Sequence, residues 1–225
     1  MLVASFRNRV MQPFPGPLFG SSLANTWDAA WSALGRRAPA SLRQELQQAW
    51  TEPQRHYHDL RHLGECLALW SRWGSQFERR AEVALALWFH DAIYDPQRAD
   101  NERESAAWAA RSLSAAGAAD DVVQRIHGLV MATRHGEPTV GADAQVLLDI
   151  DLAILGSPPD RFEAYDQDIR KEYAWVPSHL YITKRAAVLR GFAERPQLYH
   201  CAPAVDLLEE RARSNLIAAI SRLSQ

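Results

Sequence analysis

Histidines and aspartates set in apolar surroundings are the residues of this sequence best suited to chemistry. In the segment RHYHDLRHL, His58 and His62 stand four apart. That spacing predicts two imidazoles on one helix face, able to converge on one metal ion or one phosphate. Further on, in VALALWFHDAIYD, the apolar run 83–89 leads straight into His90 and Asp91. A stretch apolar on every side belongs to a buried helix, where a carboxylate is costly unless a cation or strong hydrogen bonds compensate. Asp91 therefore calls for a positive partner, and imidazole with carboxylate is a common ligand set for divalent transition ions. Asp95, one turn on, is expected to face the same site as a water-orienting carboxylate.

A third apolar segment, VLLDIDLAILG, holds Asp149 and Asp151. Two apart, they point to opposite sides of a helix, and the stripe of Leu148, Leu152 and Leu155 borders Asp151. Asp151 is thus the expected buried acid and Asp149 the solvated one. In VVQRIHGLVMATRHGEP, His127 and His135 share a broad helical face, and His135 is equally placed to complement a helix C-terminus. Each residue also has a structural reading, as a cap, a solvated charge or an acid paired with an arginine.

Elements able to bring these groups together are long segments rich in Ala, Leu, Arg and Glu, punctuated by single Pro and Gly residues. The expected fold is all-α, with helices near 22–35, 40–51, 56–74, 79–92, 101–116, 120–135, 143–155, 159–175, 178–194 and 204–223. Start signals include Ser41, Asp143, Pro159 with Asp160, Ser178, and Asn101 as the cap of the DNERES segment. One helical domain over 22–225 preceded by a flexible segment, 1–21, is the simplest division. The chain has 225 residues, 47% hydrophobic and 23% charged, enough for a continuous core and a buried site. Lys and Arg number 25 against 27 Asp and Glu, for a net charge of −2, so duplex nucleic acid is a poor partner. Cys66 and Cys201 are too few for a disulfide framework and read as small buried hydrophobes. With no apolar signal core and no run able to span a bilayer, the expected location is the cytoplasm, away from membranes.

In order, His62, His90 with Asp91, and Asp151 form the pattern H…HD…D. This resembles the HD-domain superfamily of metal-dependent phosphohydrolases. The segments YHDLRHL, LWFHDAIYDP, DNERES, ATRH and LDIDLAILG look like a bacterial group of predicted HD-superfamily phosphohydrolases, from about residue 25 onward. The resemblance implies a single-domain helical bundle in which His62, His90, Asp91 and Asp151 ligate a divalent ion: Mn, Fe, Co, Ni, Zn or Mg. His135 matches the region where binuclear members place a further ligand, so one or two ions are implied. In related cyclic-nucleotide phosphodiesterases the first histidine of a YHNxxH segment donates the proton, which falls here on His58, with Asp59 standing where Asn is usual. Arg185 and Lys184 are the expected phosphate-binding cations.

The implied activity is a phosphomonoesterase or phosphodiesterase acting through a metal-activated water on a nucleotide or other small phosphorylated metabolite. Alternatives are a non-catalytic nucleotide- or metal-binding regulatory domain and a di-iron oxygenase on the same scaffold. A further one is a zinc peptidase in which His58, Asp59 and His62 imitate HExxH, leaving Asp91 and Asp151 without a role.

Overall fold

The computed structural model describes residues 14–134 and 141–224. Among them are ten α-helices: α1 (Gly20–Ala33), α2 (Leu42–Ala49), α3 (Leu60–Arg72), α4 (Arg80–Phe89), α5 (Asn101–Ala115), α6 (Asp120–Ala132), α7 (Ala142–Asp151), α8 (Pro159–Glu172), α9 (Ser178–Ala193) and α10 (Ala202–Leu223). Short 3₁₀ turns cover Gly74–Gln76 and Leu152–Gly156, and no strand occurs among the described residues. The expected all-α bundle is what the chain forms.

The bundle is organised around α4. Every residue from Val83 to Phe89 is fully buried, because α1, α3, α5, α6 and α7 all pack against this one helix. That arrangement follows from a helix with no polar face to offer water. Trp27, Trp31 and Trp88 stack edge to tilted at 5.0–5.6 Å between α1 and α4. Trp50 donates its indole N–H to the Trp88 carbonyl at 3.0 Å. On the other side, α10 lies along α9 and along the turn that follows Asp151. Gly156 permits that approach: a Cβ there would sit 2.6 Å from the Leu208 Cβ.

Several boundaries depart from the sequence expectation. Residues 56–59 are not helical, and Asp59 caps α3, accepting from the Arg61 and His62 amides at 2.8 and 3.2 Å. His58 and His62 are therefore not on one helix face. The same cap removes Asp59 from the base role that an HExxH imitation requires. Likewise α4 ends at Phe89, which puts His90 and Asp91 in the turn beyond it. Part of the expected flexible leader is tied down, since Leu18 N–H donates to the Gly64 carbonyl at 3.0 Å and α1 begins at Gly20.

Neither Ser41 nor Ser178 caps with its side chain. Asp143 instead accepts the Glu78 and Arg79 amides at 2.8 and 2.9 Å, holding the segment that leads into α4. Nor is Asn101 a cap, since Asp100 precedes α5; its buried amide brackets the Asp95 backbone.

Candidate metal centre

Three helix ends deliver four donor groups to one point. His62 sits in the first turn of α3, where the Asp59 cap fixes the start of the helix. His90 and Asp91 follow the last residue of α4, and Asp151 is the last residue of α7. The two Nε2 atoms of His62 and His90 face each other at 3.1 Å. Asp151 Oδ1 lies 3.3 Å from the first and 3.5 Å from the second. Asp91 Oδ2 lies 3.9 Å from the first and 3.2 Å from the second. Donors held at ~2.1 Å from a common ion are ~3.0 Å apart at a right angle, ~3.4 Å apart at a tetrahedral angle and ~4.2 Å apart when opposite. All five separations fall inside that span.

The protonation pattern fits a cation. His90 Nδ1 is 2.8 Å from the Leu87 carbonyl, to which it donates, so Nε2 is the nitrogen that faces the cluster, where it can carry a proton or, in its place, a metal ion. Burial works to lower the His90 pKa, but the charge and hydrogen bonds of Asp91 and Asp151 outweigh it and hold it well above the usual value. For Asp91 burial works upward, and the adjacent His90 outweighs it and keeps the carboxyl below its ordinary range. Two acids hold positive charge in a buried pocket, a demand that a bound dication meets.

Cys66, one turn after His62 on α3, belongs to the same cluster: ligand atoms of His62, Cys66, His90 and Asp151 lie within 4.8 Å of one another. These residues form a group able to hold a metal ion. The Cys66 sulfur is 3.7 Å from His62 Nε2 and 3.8 Å from Nδ1. Near-equal distances put it beside the ring rather than along the Nε2 lone pair, which leaves Asp91 the better-aimed fourth donor. Burial pushes the thiol pKa up, so it stands there as a neutral, soft neighbour. Its spacing of four from His62 was a signal available in the sequence.

His58 is positioned from outside α3. Its Nδ1 is 2.7 Å from Glu172 Oε2, which also accepts the Tyr94 hydroxyl at 2.8 Å. The other oxygen of Glu172 accepts the backbone N–H groups of His56, Tyr57 and His58 at 2.8–2.9 Å. Tyr94 stacks on the His58 ring at 4.1 Å. Burial alone lowers the His58 pKa, but Glu172, aided by Asp91 and Asp151, raises it above the usual value. Glu172 is the residue most missed by sequence reading, since it lies 114 positions away in a segment, KEYAWVP, that carries no signal.

This geometry sets a pH dependence. Burial favours the neutral form of Glu172, but the His58 contact and the amides win and hold its pKa down to about 2, against an ordinary 4.5. The resulting stabilisation is present above pH 4.5 and lost as pH falls toward 2. The raised His58 pKa adds stability that is present below 6.5 and lost as pH rises through the folded value. Glu172→Gln should therefore unfold more easily than wild type at pH 6, by on the order of 3 kcal/mol. That gap should narrow as pH drops below 4.5, as read by urea unfolding between pH 6 and 3. A gap independent of pH would refute the charged pair.

A cavity of about 700 Å³ opens onto the cluster, and His58, Asp91, Asp151, Tyr57, Glu102, Lys184 and Arg185 contribute to its wall. Arg185 is buried and committed, with Nε and a terminal nitrogen at 3.0 and 2.8 Å from Asp166 Oδ1 and the guanidinium over the Tyr165 ring. Lys184 has no ion-pair partner among the described residues.

Other expectations are corrected. Asp95 does not line the cavity; its carboxylate accepts the Gln97 amide in a local turn. Asp149 is not solvated: it is 1% exposed and binds the His200 and Cys201 amides at 2.6–2.9 Å, anchoring α10. The opposite-sides argument holds, but α7 is covered on both sides. His135 lies outside the described residues, and His127 does not line the cavity.

No protein-family model, curated protein or solved structure matches this chain. The functional reading therefore rests on the chain's own geometry. Among the described residues, no helix is long and apolar enough to cross a membrane.

Proposed function

We propose that this chain is a metal-dependent phosphohydrolase of the HD-domain type, acting on a small phosphate ester in a reducing compartment where Cys66 and Cys201 stay unpaired. The observation that carries the reading is the convergence of His62, His90, Asp91 and Asp151 at a cavity that also holds a histidine fixed by a buried carboxylate. When bound there, a divalent ion supplies Lewis acidity, lowering the pKa of coordinated water toward neutrality and offsetting charge on the phosphoryl oxygens.

The protein's own residues do the rest. Glu172 occupies His58 Nδ1, which leaves Nε2 as the ring nitrogen free to serve the cavity. The Glu172 contact raises the His58 pKa and so favours the protonated form, as an acid for the departing alkoxide must be. As the P–O bond breaks, that proton passes to the leaving oxygen, and the proton lost by the incoming water restores the imidazolium. Lys184 and Arg134 are cations available to a phosphoryl oxygen, while Arg185 stiffens the wall through Asp166 and Tyr165. The burial of His62 and His90 excludes bulk water from the ligand atoms.

Purified protein supplied with Mn²⁺, Co²⁺ or Mg²⁺ is expected to hydrolyse p-nitrophenyl phosphate or bis-p-nitrophenyl phosphate, with activity abolished by a chelator and restored by the ion. Absence of metal-dependent hydrolysis of both esters would overturn the proposal.

A further inference from the structure

We propose that the substrate of this site is an amphiphilic phosphate ester whose non-reacting part is a bulky apolar chain or aryl group rather than a nucleoside. The inference rests on the phosphohydrolase reading for the anionic head and on the cavity wall for the remainder. The apolar part of that wall is built from Leu152, Ile154, Leu155, Ile169, Val188 and Phe192. Recognition of a base needs unspent donors and acceptors on its edge, and several polar groups lining this cavity are spent.

Asn101 uses its carbonyl oxygen and its amide nitrogen on the Asp95 backbone, at 3.2 and 2.9 Å. The Thr133 hydroxyl donates to Val130 at 2.7 Å. Arg98 is paired with Asp100, as Arg185 is with Asp166. The Tyr57 and Tyr181 hydroxyls are buried without a partner, and Arg134 and Lys184 line the wall with no ion pair among the described residues. Glu102 adds one acid.

The apolar wall also continues outward. Leu180, Lys184 and Val188 recur every fourth residue on α9 and so form one row. Val188 lines the cavity yet is 51% exposed, and Leu180 is 46% exposed. A long chain leaving the cavity would keep apolar contact with Val188 and Leu180 along that row.

Calorimetric titration with methyl-, butyl- and octylphosphonate, below micelle-forming concentrations and with and without Mn²⁺, tests this without turnover. Affinity is expected to rise about fourfold per methylene until the cavity is filled, and octylphosphonate should outbind adenosine 5′-monophosphate. Val188→Lys, at a half-exposed position that folding tolerates, should cost octylphosphonate about tenfold or more. Equal affinity along the series, no binding of octylphosphonate, or tighter binding of the nucleotide would overturn the inference. A chain-length dependence without hydrolysis of generic esters would count against the phosphohydrolase reading alone, and hydrolysis with a flat series against this one alone.

Discussion

His90→Ala is expected to lose the bound divalent ion and metal-dependent hydrolysis together. The Leu87 carbonyl orients the His90 ring so that its Nε2 faces the cluster, 3.1 Å from its counterpart on His62. Removing it leaves Asp91 and Asp151 facing each other across a buried gap with their nearest shared imidazole gone. Loss of an outer partner of a ligand already costs 10–100-fold in metal affinity, so loss of the ligand should cost at least about 100-fold. Metal content after dialysis, measured beside turnover at saturating Mn²⁺, reads both effects, and far-ultraviolet circular dichroism shows whether the bundle is intact. Asp91→Ala should behave the same way. Full metal content and full turnover in both variants would remove the basis of the metal centre.

The second large effect separates chemistry from metal binding. His58→Ala should lower turnover about 10²-fold or more with metal content unchanged, because a positioned general acid typically contributes that much. The expectation follows from placement: His58 lies in the turn before α3, with Nδ1 committed to Glu172 and its ring stacked on Tyr94. Loss of metal from His58→Ala would make it a ligand instead. Unchanged turnover with metal retained would remove it from the reaction.

His90, Asp91 and Asp151 were legible because each is anomalous where it stands. A histidine and an acid ending an apolar run at Phe89, and an acid inside VLLDIDLAIL, violate the rule that buried charge is paired, and the violation marks the site. The helical periods were equally readable. What escaped was set by contacts between distant segments. Glu172 reaches His58 from the end of α8, and nothing in its neighbours announces it. Asp149 is buried because the segment before α10 folds back over α7, a fact of topology rather than of spacing. The start of α3 was misplaced because the run through His56 to His62 has helical spacing, whereas Asp59 ends that run by binding the Arg61 and His62 amides. An Asp just before an apolar segment is an ordinary cap signal, and giving it weight would have put His58 outside the helix.

The central claim is that His62, His90, Asp91 and Asp151 share one dication. Anomalous diffraction at the manganese edge, from crystals grown with Mn²⁺, tests it most directly. The account predicts a peak within about 2.3 Å of both Nε2 atoms and of an oxygen of each aspartate. No peak there, or a manganese ion bound elsewhere with these four side chains turned apart, would contradict it.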